Sequence, residues 1–198
     1  CIALAGARSV PVLLAPDTEG RYVFDPDALR AAVSDRTKLI LLNTPHNPTG
    51  KVFTTDEMAI VAEVALERDL IVVTDEVYEH LLFDGHSHMP LSTLPGMADR
   101  TLTISSGGKT FNTTGWKIGW MTGPEPLVTA ARTAKQFLTY VNGAPFQPAI
   151  AVEIHRKALE RGRHELRRPE RAGPGAFQLF GPHVTAMQDF QGGEEFVA

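Results

Sequence analysis

Lys109 stands in the run SSGGKTFNTTGWKIGW, residues 105–120, after two glycines and before a series of small hydroxyl residues, with a further lysine at position 117. Surface lysines are common, but two chemistries suit one placed like this. Gly108-Lys109-Thr110 matches the end of the G-x-x-x-x-G-K-[ST] phosphate loop,. That reading needs a glycine where Thr103 stands and a continuous helix where Gly115 and Gly119 interrupt the chain. The other chemistry is nucleophilic: an amine at the mouth of an apolar crevice, flanked by small residues, suits Schiff-base formation with a carbonyl.

Other polar groups follow apolar runs in the same manner. After KLILLN comes TPHNPTG with Asn47; after LIVVT comes DEVYEH with Asp75 and Tyr78; after TLTIS come Ser106 and Lys109. Taken singly, Asn47-Pro48-Thr49-Gly50 reads as a turn, Asp75 as a helix cap and Tyr78 as a half-buried sheet residue. Taken together, an amide, a carboxylate, a phenol, a hydroxyl and a lysine sit where open α/β sheets bind ligands, at the carboxyl ends of strands.

The elements that must carry these groups are legible in the pattern. The runs at 38–43, 70–74 and 101–105 begin about thirty residues apart, and their near-continuous hydrophobicity predicts strands buried on both faces,. Between the first two, Thr54 and Glu57 form a capping box ahead of Met58, Val61, Ala62 and Ala65 at helical spacing,. Strand, helix and strand at that spacing make a βαβ unit, so the fold class is α/β, a mostly parallel sheet with helices on both faces. A strand is expected at 10–14, a helix at 25–33 capped by Asp25 with Pro26 first, a strand at 117–123, and helices at 124–139 and 147–160,.

Composition bounds the partners. The 198 residues are 43% apolar and 21% charged, as in globular domains, with net charge −4 and pI about 6.0, which favours neither nucleic acid nor an anionic membrane,. Cys1 is the single cysteine, which fits a reducing cytoplasmic setting and gives neither a disulfide framework nor a thiolate metal site,. His86 and His88 share the loop GHSH without the further ligands a metal needs, so no metal is expected,. No apolar run reaches the length of a membrane span,.

NTPHNPTG, TDEVYEHLLFDG and SSGGKTFNTTGWKIGW, in this order and spacing, resemble the class I/II aminotransferases of fold type I, which use pyridoxal 5′-phosphate. GAPFQPA at 143–149 resembles the branch of kynurenine, methionine and N-succinyldiaminopimelate aminotransferases. The resemblance implies amino transfer between an L-amino acid and a 2-oxoacid by a homodimer. It gives Lys109 the cofactor Schiff base and the proton shuttle, and Asp75 the pyridinium nitrogen. Asn47 and Tyr78 take the ring 3′-oxygen, and Ser106 and Lys117 the phosphate. Many members carry arginine where Lys117 stands, so the contact here is a point charge in place of a fork. Trp116 and Trp120 are expected to be packing residues.

The resemblance covers residues 1–155, read as part of the large cofactor-binding domain, with 156–198 as a divergent tail. Five arginines fall within 161–171 and none of the last 27 residues is lysine or arginine. Family members are about twice this length, and typical domain sizes then imply both a preceding and a following portion. These are expected to carry a glycine-rich phosphate turn, a ring-stacking aromatic and an arginine for the substrate carboxylate. The chain alone is therefore expected to be inactive. Two alternatives accompany this reading: a non-catalytic remnant or interaction module, and a β-lyase or synthase on the same scaffold.

Overall fold

The computed structural model describes residues 2–140 and 143–166, with side chains as far as 157. The chain divides into two compact units, Cys1–Thr103 and Ile104–Ala198. Part of the expected tail, 167–198, lies outside the described residues.

In the first unit, β1 (Ala15–Pro16) pairs antiparallel with β2 (Tyr22–Val23) around a turn held by the Asp17 side chain, which accepts the Glu19 and Arg21 N–H groups at 2.9 Å each. The strand expected at 10–14 is absent. Pro11 lacks a ladder donor, and the segment forms no strand while Val12 and Leu14 pack against the core,. Helix α1 (Pro26–Ala32) begins as expected, with the Asp25 carboxylate accepting the N–H groups of Asp27 and Ala28. β3 (Leu39–Asn43) and β4 (Ile71–Asp75) run parallel, in the register Ile40 to Val72, Leu42 to Thr74 and Asn43 to Asp75. Helix α2 (Thr55–Glu67) joins them in a βαβ unit. Its capping box is complete in both directions, Glu57 N–H to Thr54 Oγ1 at 3.2 Å and Thr54 N–H to Glu57 Oε2 at 2.8 Å,.

Side chains alternate along a strand, and the core follows that alternation. Ile40, Leu42 and Val72 pack with Met58, Val61, Ala62 and Ala65 of α2, and with Leu29 of α1, Phe53, Leu70, Leu91 and Met97. Leu39 and Leu41 lie on the opposite face and remain 45% and 59% exposed. In this unit α1 and α2 both join the cluster on the first face.

β5 (Thr101–Ser106) lies next to β4 in the sheet order and crosses the unit boundary. In the first unit the Val72 N–H donates to the Arg100 carbonyl at 2.9 Å and Thr74 Oγ1 to Thr103 Oγ1 at 3.2 Å. In the second unit the end of β5 is followed by the short helix α3 (Gly107–Thr110), a 3-10 turn at Thr114–Trp116, and β6 (Gly119–Thr122), which lies beside β5. Strand β6 starts later than the expected 117–123 because Lys117 adopts a left-handed conformation, φ 58°. Helix α4 (Glu125–Leu138) has Pro124 as its cap residue, and α5 (Gln147–Leu166) continues past the expected end at 160.

Candidate active site

The first unit assembles three of the candidate residues where β3 and β4 end. The register places Asn43 opposite Asp75, both on the strand face away from the α2 core. The Asp75 carbonyl accepts from the Thr44 N–H at 3.0 Å and from Asn43 Nδ2 at 2.9 Å. Asn43 Oδ1 accepts the Asn47 N–H at 2.8 Å, so one amide side chain links the Asp75 backbone to the start of the Asn47-Pro48 turn. Asn47 Nδ2 in turn donates to the Tyr78 hydroxyl at 3.3 Å. Asn47, Tyr78 and the Asp75 backbone thus form one network. Asn43, its hub, is a residue the motif reading did not single out.

Asp75 is no helix cap. Its Oδ1 accepts the Val77 N–H at 3.3 Å, but turns follow it, not a helix. The half-buried carboxylate keeps one oxygen without a protein donor among the described residues, which suits a ligand's ring N–H. The Asn47 turn is fastened on its far side: His46 Nδ1 lies 2.7 Å from Thr49 Oγ1, and the His46 N–H donates to the Lys51 carbonyl at 2.8 Å. Lys51 Nζ pairs with Glu57 Oε1 at 2.8 Å with only 9% of its side chain exposed, tying the turn to the first turn of α2. The Thr44-Pro45 and Asn47-Pro48 peptides are cis.

The second unit carries the other three. Ser106 ends β5 and caps α3, its Oγ accepting the Gly108 N–H at 3.2 Å. That contact uses an acceptor lone pair, so the hydroxyl proton can still be donated to an anionic oxygen. Lys109 lies exposed in this single turn. Two hydroxyls from the following run fix it: Thr113 Oγ1 donates to the Gly107 carbonyl at 3.0 Å, and Thr114 Oγ1 to the Gly108 carbonyl at 3.2 Å. Gly108 is a packing requirement, since a Cβ there would lie 3.0 Å from the Thr114 Cα. At the other end Lys157 of α5 lies 4.4 Å over the Phe111 ring and 3.5 Å from the Thr110 carbonyl, a cation at the carboxyl end of the turn,.

Lys117 is exposed and follows the 3-10 turn. The Gly107 N–H donates to the Ile118 carbonyl at 2.9 Å, which brings the chain at Ser106 and the chain at Lys117 into neighbouring positions. Trp116 stacks on Phe146 of the GAPFQPA segment at 4.7 Å between centroids, and Trp120 tilts against Phe111 at 6.4 Å. Both tryptophans therefore pack against aromatic neighbours.

This donor set can be compared with known proteins. Residues 1–171 match the family described as aminotransferase class I and II. The chain belongs to that family. It is 55% identical over 153 residues to the probable N-succinyldiaminopimelate aminotransferase DapC of Mycobacterium tuberculosis, covering 77% of this chain and 38% of that protein. Rat kynurenine–oxoglutarate transaminase 3 is 47% identical over 134 residues, 68% of this chain and 30% of the relative. The solved structure of the M. tuberculosis N-succinyldiaminopimelate aminotransferase superposes with a TM-score of 0.74 at 49% identity, over 84% of this chain and 46% of that one. YbdL of Escherichia coli, whose structural study identifies a methionine aminotransferase function, gives 0.70 at 34% identity, over 75% and 38%. The chain thus spans less than half the length of these relatives, and its α/β fold is part of the fold type I aminotransferase domain. The family match reaches residue 171, beyond the limit of 155 expected from motifs. Pyridoxal 5′-phosphate is the cofactor of this family. The residues described fit it chemically: a carboxylate for a ring nitrogen, an amide and a phenol for a ring oxygen, a hydroxyl and an ammonium for a phosphate, and a lysine amine for an aldehyde.

Proposed function

We propose that the protein containing this chain is a pyridoxal-phosphate-dependent aminotransferase that moves an amino group from an L-amino acid to a 2-oxoacid, with Lys109 as the amine that holds the cofactor. The observation that carries the reading is the construction of the Lys109 turn. It is a single turn directly after a strand, capped by Ser106, with its carbonyls held by Thr113 and Thr114. Such bracing limits where an otherwise flexible lysine side chain begins, which is the positioning that proton transfer to a fixed carbon needs.

When bound, the cofactor supplies an electron sink for the charge that develops at the substrate α-carbon. Each residue has a part that its chemistry permits. Asp75 offers its open carboxylate oxygen to the protonated ring nitrogen. Asn47 and Tyr78, already hydrogen-bonded to each other, orient the ring oxygen. The Ser106 hydroxyl and the Lys117 ammonium bind the phosphate. The Lys109 amine would accept the α-proton of the substrate and hold it next to the cofactor.

The activities of the relatives make an N-succinylated diamino acid the first amino donor to assay, with kynurenine and methionine beside it. A homodimeric parent protein, supported by the family resemblance, and a cytoplasmic location, supported by the single cysteine, belong to the same proposal. The direct test is borohydride reduction of the full-length protein loaded with pyridoxal 5′-phosphate, followed by peptide mapping. The label is expected on Lys109; a label on Lys51, Lys117 or any other lysine refutes the assignment.

A further inference from the structure

Glu76, the residue after Asp75, is wholly excluded from solvent. A carboxylate is seldom buried without a partner, and this one has a single partner for one of its two oxygens. Glu76 Oε2 lies 2.6 Å from His88 Nε2, whose side chain is only 6% exposed, and Glu76 Oε1 has no hydrogen-bond partner. The contact closes a loop of chain from 77 to 87. That loop carries Tyr78, and its backbone bonds are short-range: Glu79 N–H to the Glu76 carbonyl at 2.9 Å, Leu81 N–H to the Tyr78 carbonyl at 2.8 Å, and His86 N–H to the Phe83 carbonyl at 3.0 Å. Leu81 and Phe83 are 48% and 74% exposed, so apolar burial does little to hold the loop there.

An apolar pair of similar volume could fill the same space. What a buried hydrogen-bonded pair adds is direction, since it is satisfied in one arrangement only. We infer that the Glu76–His88 pair is a positioning clamp for the cofactor site: by fixing both ends of the 77–87 loop it sets the backbone at Asp75 and the approach of the Tyr78 hydroxyl, without touching the cofactor. The inference rests on the aminotransferase reading, because it gives Asp75 and Tyr78 their ligand.

The test uses the full-length protein prepared without cofactor. Four variants are compared with wild type: Glu76→Gln and His88→Gln, which keep a hydrogen bond across the pair; His88→Met, which leaves Glu76 unpaired; and the double variant Glu76→Leu/His88→Met, which keeps the volume but removes the direction. Affinity for pyridoxal 5′-phosphate is measured by equilibrium dialysis, the absorption band of the bound cofactor by spectroscopy, and folding by thermal unfolding. The two glutamine variants are expected to stay within about twofold of wild-type affinity. The double variant is expected to remain folded yet bind about tenfold more weakly, with a shifted absorption band and a kcat that falls more than KM rises. If the double variant does not fold, His88→Met is read in its place; it leaves Glu76 unpaired and is expected to bind the cofactor at least as weakly. Wild-type affinity and spectrum in whichever of these two variants folds, with at most a lower melting temperature, overturn the inference and leave only a stabilising pair. Borohydride mapping of the wild type separates the two levels. A label on Lys109 with an indifferent clamp overturns this inference alone, whereas a protein that takes no label on Lys109 overturns the functional reading with it.

Discussion

Removing the Asn43 side chain should loosen the network of Asn47, Tyr78 and the Asp75 backbone by an amount that can be worked out from its two hydrogen bonds. Asn43 Nδ2 donates to the Asp75 carbonyl at 2.9 Å, and Oδ1 accepts the Asn47 N–H at 2.8 Å. In Asn43→Ala the Asp75 carbonyl keeps the Thr44 N–H at 3.0 Å, so it is not stranded. Asn47 is exposed, and water can replace the lost acceptor on its N–H. Each bond is then worth its modest net value, roughly 1 kcal/mol, and the expected loss is about 1–2 kcal/mol rather than the larger cost of a buried orphan. Asn43→Asp discriminates further. It restores an acceptor for the Asn47 N–H, but it sets a carboxylate against the Asp75 carbonyl and directly across the register from the Asp75 side chain. A charge facing the Asp75 carbonyl and carboxylate offsets the acceptor it restores, so Asn43→Asp should lose about as much stability as Asn43→Ala although it is closer in shape,. Urea unfolding of the cofactor-free full-length protein measures both, and cofactor affinity should fall in both. An alanine variant within about 0.3 kcal/mol of wild type, well below the value of one hydrogen bond, or an aspartate variant as stable as wild type, refutes the role given to this residue.

Three further outcomes follow from local geometry. Thr54→Ala should cost about 1–2 kcal/mol by removing the α2 cap, with most of it regained in Thr54→Ser, as thermal unfolding would show,. Gly119→Ala places a Cβ 2.8 Å from the Ser105 carbonyl oxygen, a backbone atom that cannot swing aside, so stability should fall by roughly 1–3 kcal/mol and cofactor affinity with it; Gly115→Ala, which meets nothing within 4 Å, is the control and should change little,. Lys117→Ala should weaken cofactor binding about tenfold while Lys117→Arg stays close to wild type, since either cation can bind a phosphate; equal dialysis constants for wild type and Lys117→Ala would remove this residue from the site.

Much of the first unit was legible because its signals are local. The capping box, the helical stripe of α2 and the Asp25-Pro26 start each depend on residues within one or two turns, and all three appear as read. The misreadings also have local causes. An apolar run at 10–14 looked like a strand although Pro11 withholds a donor, and the strand expected from 117 begins only at Gly119 because Lys117 turns left-handed. Five of the six candidate residues stood out as polar groups at the ends of apolar runs, and the resemblance added Lys117 and gave each its role. The groups that brace them were not legible: Asn43 matters only through its register with Asp75, and Lys157 reaches the Lys109 turn from 47 positions along the chain.

The alternation of β4 connects these observations. Val72 and Thr74 point into the core, so Asp75 must point to the other face, and a slip of one residue would bury its carboxylate among the apolar side chains of α2,. The same alternation carried one position further turns Glu76 inward, where it is fully buried. A strand that turns a carboxylate away from the core at its last position therefore directs the next side chain toward the core. A leucine at 76 would meet that demand by packing alone, whereas a glutamate requires a donor, and His88 provides it from the far end of the loop,. The adjacent acids Asp75 and Glu76 look alike in sequence, yet the pleat gives them opposite environments and opposite tasks. Exchanging them tests this directly. Asp75→Glu/Glu76→Asp preserves composition and net charge, but a shorter acid at 76 should no longer reach His88, and a longer one at 75 should crowd the ligand face. If the exchanged protein kept wild-type stability and cofactor affinity, the pleat would not be what separates the two roles.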